Sequence, residues 1–431
     1  MNGAESNRPM ITNTFSSHIR SVSSGLFLVL VFLVVFLPTG SVFGINVKVI
    51  SLGAFLVAFM LYLIFGRDGL LRSEIVSLTI IGACLCFWIL VGVLNGQADM
   101  GEVFYQVRDV ASAILIAWLS LFSIRRGLVR AESLITTVIY GLFFLSCLKL
   151  VLIVGMFAYN IDPVQAVQSI FGQLSLVTGD AVLGLFRIEF PADILGAFAL
   201  FALLARSVSG VRLGRLSTAV ILFVLLGSGF VAFSRYIWLL YFVAIVLAMI
   251  VDRRWKMLVV SVVAVLAISS SFYDAFNTIF AARFLSNETE ISDVIRAEQS
   301  RALIGEIEVR PILGKGLGTH VNTNIRSELH MYSYELQWLA FLMQFGIIGM
   351  AGILLLVAAS ARDLVAARHP AKLWIFLLFL LWLLASWTNP YLTSSFAGAT
   401  FGLFIAIFHR LRNAANNPSA PRSLTPSLQP R

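Results

Sequence analysis

A chain of 431 residues with 59% hydrophobic and only 12% charged residues departs from soluble domains, which are about 45–50% apolar and about 25% charged. With 35 Phe and a mean hydropathy of +0.91, a soluble globular protein is excluded. The composition marks an all-α polytopic membrane protein of about 12 transmembrane helices. The formal charge of +9 suggests a nucleic-acid partner only until the positions of the charges are considered.

Residues 1–21 are polar and include Arg8 and Arg20. No small-residue cleavage site follows the apolar run from Gly25 to Leu37, so a cytoplasmic N-terminal segment is expected instead of a cleaved signal. Taking about 20 apolar residues per crossing, spans are expected at 22–38, 46–65, 75–95, 109–124, 134–158 and 190–206. Further spans are expected at 217–233, 236–251, 257–275, 338–360, 373–387 and 391–408. Pro38-Thr39-Gly40 turns the first into the second. Only Thr388-Asn389-Pro390 separates the last two, so eleven spans with a re-entrant piece is the alternative. The chain thus divides into the N-terminal segment, nine spans (22–275), a long loop (276–337), three spans (338–408) and a tail (409–431). The tail, rich in Pro, Ser and Asn, is expected to be disordered. Cys84, Cys86 and Cys147 all lie in apolar runs and read as packing residues.

Charge sets the orientation. One side receives Arg8, Arg20, Arg67, Arg72, Arg125, Arg126, Arg130, Arg206, Arg212 and Arg215. It also receives Arg253, Arg254, Lys256, Arg362, Arg368, Lys372 and the tail arginines. The other side receives Lys48, Arg108, Arg187 and Arg235 outside the long loop. Short loops decide orientation, and basic residues stay in the cytoplasm. Both termini are therefore expected in the cytoplasm of a bacterial inner membrane protein, with the long loop periplasmic. The basic charge is a topology signal, and no nucleic-acid partner is expected.

The long loop carries most of the polar chemistry. Ser292 is placed to cap a helix from Asp293 to about Val309, which Pro311 ends. Gly314-Lys315-Gly316-Leu317-Gly318 reads as a structural turn; a phosphate cradle is the alternative, but the strand and helix that would flank one are lacking. Glu288-x-Glu290 and Glu306-x-Glu308 read as solvated faces, and neither they nor the five histidines form a metal-ligand pattern. No metal and no cofactor are expected.

Arg235 stands in Phe233-Ser234-Arg235-Tyr236, a break between two apolar runs. It either snorkels to lipid phosphate or binds an anionic substrate. Lys149 lies inside a span, where snorkelling or pairing with an acid is expected. Arg187, Glu189 and Asp193 bracket the start of the sixth span, and Arg108 and Asp109 that of the fourth. Each set is an interface anchor or part of an anion site. His320, His330 and Glu335 precede the tenth span. Glu335, with the apolar run beginning directly after it, is placed to act as a general base, and His330 is the second choice.

Three pieces in order resemble the O-antigen polymerase and O-antigen ligase superfamily of bacterial membrane glycosyltransferases. They are Phe233-Ser234-Arg235-Tyr236, then Ser300-Arg301 leading to Arg310-Pro311-Ile312-Leu313-Gly314-Lys315-Gly316-Leu317-Gly318. Glu335-Leu336-Gln337-Trp338-Leu339, leading to Phe345-Gly346-Ile347-Ile348-Gly349, is the third. Arg187 to Gly196 resembles the family's sixth-span start more weakly. The resemblance implies glycosyl transfer from an undecaprenyl-diphosphate-linked oligosaccharide on the periplasmic face, and the lack of a metal-ligand pattern makes that transfer metal-independent by expectation. By placement, Arg235 and Arg301, with Arg310, Arg187 and Arg108, are expected to bind the substrate, and Glu335 or His330 to activate the acceptor. Ligases of the family carry a histidine where Glu335 stands here, with His330 five residues earlier. This departure favours a repeat-unit polymerase acting on a lipid-linked acceptor, for which a chain-length regulator is the protein partner to look for. The alternatives are an O-antigen ligase acting on lipid A-core and a lipid-linked glycan transporter or flippase.

Overall fold

The computed structural model describes residues 10–37, 41–42, 45–65, 70–95, 98–159, 177–182, 185–256, 287–325 and 330–416, with short pieces between 162 and 169 and between 258 and 281. The ninth expected span, Arg283 and Arg326, and the tail beyond Asn416 lie outside the described residues or mostly so.

Helices overlie the other expected spans. They are α1 (Met10–Phe36), α2 (Val47–Phe65), α3 (Arg72–Leu94), α4 (Met100–Arg125), α5 (Ala131–Tyr159) and α6 (Asp193–Leu204). A short α7 (Arg206–Ser209) precedes α8 (Arg215–Val231) and α9 (Arg235–Val251). After the long-loop helix α10 (Asn287–Val309) come α11 (Gln337–Ser360), α12 (Arg362–Ala366), α13 (Lys372–Ala385) and α14 (Ser395–Asn416). Among the described residues, six helices are long and apolar enough to cross a membrane: the apolar part of α1 from Ser17, α2 to α5, and α11. Helices α6, α8, α9 and α13 are apolar but shorter. The protein is thus a helical, multi-pass membrane protein.

Local signals place several helix ends. Asp99 caps α4 by accepting the Gly101 N–H at 2.8 Å. Glu74 reaches back to the Leu71 N–H at 2.7 Å at the start of α3. The loop helix begins at Asn287, five residues before the expected start, so Ser292 lies inside it and is not its cap; it ends at Val309 as expected. The last two spans are further apart than Thr388-Asn389-Pro390 suggested, because α13 stops at Ala385 and α14 starts at Ser395.

Two small hairpins depart from the all-helical expectation. Strand β1 (Ser41–Val42) pairs antiparallel with β2 (Ile45–Asn46). Strand β3 (Val177–Val182) pairs with β4 (Leu185–Ile188), with Val177 opposite Ile188 and Thr178 opposite Arg187. Both occupy connections rich in β-branched residues, where extended backbone is favoured.

Helix α6 is the hub of the core. Every residue from Asp193 to Leu203 is buried. At 12 residues it spans about 18 Å, less than the roughly 30 Å of a hydrocarbon layer, and it packs against α5, α8 and α9. A second apolar centre joins α13 and α14, where the Trp382 and Phe401 rings lie 4.6 Å apart edge to face. Phe379, Phe404 and Phe408 continue it. A separate small core of Leu303, Val321, Tyr334, Ala340 and Met343 holds α10 and the loop after it onto the start of α11.

The polar contacts divide the connections into two groups. In one, Arg20 donates to the Gly127 carbonyl at 2.8 Å and Arg126 pairs with Glu74 at 2.9 Å. Arg412 pairs with Asp363 at 2.8 Å, and Arg410 joins Glu132 and the Val208 carbonyl. In the other, Asn95 meets Lys315, Tyr332 meets Asp109, and Tyr391 meets Glu189. These groups coincide with the two sides that the distribution of basic residues assigned.

Candidate active site at the loop end of the bundle

The glycine strip is built into the helix bundle. Gly314, Gly316 and Gly318 have φ of 72°, 94° and 79°, the left-handed region that only glycine enters freely. The strip's N–H groups are all engaged by protein. Lys315 N–H donates to Met343 O at 2.8 Å, Gly316 N–H to Gln344 O at 2.8 Å and Leu317 N–H to Trp88 O at 3.0 Å. Gly318 N–H donates to Gln106 Oε1 at 2.6 Å. A phosphate cradle needs those donors free, so the structural turn is the observed outcome. The strip lies between α3, α4 and α11. A Cβ on Gly316 would collide with the backbone of Gly92.

Opposite the strip α11 is broken. Gly346 has φ 62° and ψ −172° inside an otherwise continuous helix. The groups released there are satisfied across the break, since Ile347 N–H donates to Pro311 O at 2.9 Å. Trp88 Nε1–H reaches Leu313 O at 3.0 Å and Phe345 O at 3.1 Å. Gln344, fully buried, accepts from Gln106 at 2.6 Å and donates to Tyr332 O at 3.3 Å. Irregular backbone within an apolar bundle persists only where protein partners complete it.

Around this frame stand the polar residues singled out in the sequence. Arg235 is half-buried at the first position of α9. Ser234 makes no side-chain hydrogen bond to the helix N-terminus, and Phe233 before it has φ 45°. Glu335 receives Arg296 Nε–H at 2.7 Å, and Arg296 also reaches Asp293 at 3.1 Å. The α9 and α11 starts share a neighbour. Tyr236 O–H donates to Leu381 O, and Trp338 Nε1–H donates to Leu383 O at 2.9 Å, both near the end of α13. Arg235 and Glu335 are thereby brought to the same end of the molecule.

Arg108 and His330 form a second group. Arg108 pairs with Asp109 at 2.9 Å and lies 5.2 Å over the Tyr105 ring. His330 packs against Tyr105 and Tyr332, with ring centroids 5.5 Å and 5.7 Å away. Tyr332 O–H donates to Asp109 at 2.9 Å. Burial, and then the neighbouring Asp109 carboxylate, push the Tyr332 hydroxyl well above its ordinary pKa, so it stays a donor. Arg301 is exposed on α10, and Arg310 is exposed just beyond it. Lys315 is buried against Glu306. The backbone of Arg187 lies in β4.

Sequence reading missed Arg296, Gln106, Gln344 and Glu102. Glu102 is buried, and its Oε2 has no hydrogen-bond partner among the described residues. The two glutamines and Glu102 carried a signal, being polar groups in or beside an apolar run. The Arg296–Glu335 pair, 39 residues apart, carried none. Lys149 does pair with an acid, Asp193, at 2.7 Å, as one of the two sequence-based expectations held. Among the described residues no three His, Cys, Asp or Glu come together as a metal-holding group.

Comparison with known families gives one finding. A family model described as O-antigen ligase matches residues 218–354. The match runs from α8 through the Arg235 break, α10 and the glycine strip into α11, and so contains Arg235, Arg301, Arg310, His330 and Glu335. Arg108 and Arg187 lie outside it. No curated protein and no solved structure matches the chain.

Proposed function

With residues 218–354 supporting the O-antigen ligase and polymerase superfamily, we propose that the chain is a polysaccharide repeat-unit polymerase. It transfers glycan from an undecaprenyl-diphosphate-linked donor to a lipid-linked acceptor on the periplasmic face of the inner membrane. The observation that carries this is the gathering of Arg235, Glu335, His330 and Arg108 at the one end of the bundle where the long loop packs.

The chemistry is consistent with that arrangement. The donor leaves as a lipid diphosphate, so fixed positive charge is needed where negative charge develops. Arg235 supplies it at the start of α9, where the helix dipole adds to it. Arg301, exposed on the loop helix, supplies a second planar fork. Arg310, Arg187 and Arg108 are further substrate-binding residues in this reading. Glu335 takes the proton of the acceptor hydroxyl, and Arg296 orients its carboxylate; His330 is the second choice for that step. The glutamate at the start of α11, in the place where ligases of the superfamily carry histidine, favours polymerase over ligase. No metal takes part, so transfer by purified protein is expected to be unchanged in excess chelator. Activity lost there and restored by magnesium or manganese would refute this point.

The reaction class is tested by the glycan profile of a deletion strain. Single-repeat decoration is expected. Undecorated core with polymer still on lipid would establish the ligase instead, and unprocessed repeat units confined to the cytoplasmic leaflet would establish a flippase. A chain-length regulator that co-purifies with the protein would fit the same reading.

A further inference from the structure

Lys149 and Asp193 form the most enclosed ion pair in the protein's described residues, with Lys149 0% and Asp193 4% exposed. Each partner makes one further bond, and both are to backbone. Lys149 Nζ donates to the Ser228 carbonyl at 2.9 Å, in the last turn of α8 before the break that bears Arg235. Asp193 Oδ2 accepts the Phe190 N–H at 2.8 Å, in the segment that links β4 to α6. Tyr241, two turns into α9, closes the group by donating to the Asp193 carbonyl at 3.3 Å. Its ring occupies the space left by Gly196 and Gly229, where a Cβ would collide with it.

Four helices therefore meet at one charge pair: α5, α6, α8 and α9. A buried pair is a poor way to gain stability, since well-packed apolar residues of similar size usually do as well or better. What charges add is direction. Here the pair's two further bonds end on two backbone points, one in the last turn of α8, seven residues before Arg235, and the other beside Glu189 at the end of β4. The break also holds Phe233 in a left-handed conformation, which persists only when its surroundings enforce it.

We propose that Lys149–Asp193 is a positioning pair that fixes the Arg235 break against the segment leading into α6, and so sets the width of the diphosphate-binding mouth. This rests on the proposed function above. The pair itself is too enclosed to touch the donor.

The test uses full-length protein in detergent and undecaprenyl diphosphate as the probe, with affinity and melting temperature measured on each variant. The charge-free double variant Lys149→Met/Asp193→Leu is expected to melt as the wild type does but to bind about tenfold or more weakly. Asp193→Glu keeps the charge and lengthens the link by one methylene. It covers the case in which the double variant does not fold, and is expected to show the same loss of affinity in its folded fraction. Transfer at saturating donor is expected to change less than affinity in both. Wild-type affinity in a folded pair variant would overturn the inference. Arg235→Lys separates this from the site itself. If it binds as the wild type does, the donor site falls and the inference with it; if it binds weakly while the pair variants bind normally, only the inference falls.

Discussion

In the proposed reaction Arg235 and Arg301 hold a group of charge about minus two, where each charge-assisted contact contributes roughly 1.5–3 kcal/mol. Lysine keeps the charge and loses the planar fork. Arg235→Lys and Arg301→Lys are therefore expected to lower donor affinity by about tenfold or more each, as read by lipid-diphosphate binding. Arg310, exposed in the turn after α10, is expected to tolerate lysine. Glu335→Gln should leave donor binding nearly intact and slow transfer by about 10²–10⁴, the usual range for a lost general base. Full polymer from both arginine variants would end this assignment. A silent Glu335→Gln beside a dead His330→Ala would move the base to His330. At this scale the sequence was informative where a residue type conflicted with its surroundings, as with Lys149 in an apolar run. It was silent on Arg296, because a helix arginine among acids looks solvated until the fold brings Glu335 to it.

The glycine strip and the broken helix show what an element adds. Gly316 is held at φ 94° against Gly92, so any side chain there must displace α3 or unwind the strip. Gly316→Ala is expected to cost more than about 3 kcal/mol and to abolish folded protein, as read by size-exclusion behaviour in detergent. Gly305, inside α10 with nothing within 4 Å of where a Cβ would sit, should do the reverse. Gly305→Ala is expected to stabilise by about 0.5–1 kcal/mol through a better helix propensity. Helix positions were largely readable, because apolar runs bounded by charge leave few alternatives in lipid. The break at Gly346 was not readable. Its flanking residues, Phe345 and Ile347, continue the apolar pattern, and its cause is the distant strip that completes the backbone.

For the whole molecule, the fold agrees with the charge distribution on which connections share an end, while the direction of the chain across the membrane rests on the basic bias alone. Reporter fusions at residue 300 are expected to behave as periplasmic and those at residue 366 as cytoplasmic; the reverse at either position would overturn the orientation. At the basic end, Asp363 joins α12 to α4 and α14. The His409 imidazole beside it, then Arg412 and Arg125, outweigh its burial and hold its carboxyl down to about 2. The unfolded carboxyl titrates at about 3.9. The stabilisation from this cluster, up to about 2 kcal/mol, is therefore present above pH about 4 and is lost as pH falls toward 2. Asp363→Asn is expected to melt below the wild type at neutral pH, with the gap closing over that interval. A gap that persists at low pH would show that packing, not charge, holds the junction.

Trp88 and Asn95 at the end of α3 donate to Leu313 and Lys315, more than 200 residues later in the chain. During synthesis α3 and α4 leave the ribosome long before those carbonyls exist. Their polar groups, with Gln106 among them, must spend that interval beside lipid, water or an insertion factor. The N-terminal half therefore completes these contacts late, and their completion precedes ribosome release by only the length of the last helices. A nascent chain stopped before residue 310 is expected to be degraded faster than one carried past Gly346, as read by pulse-chase of the two truncations.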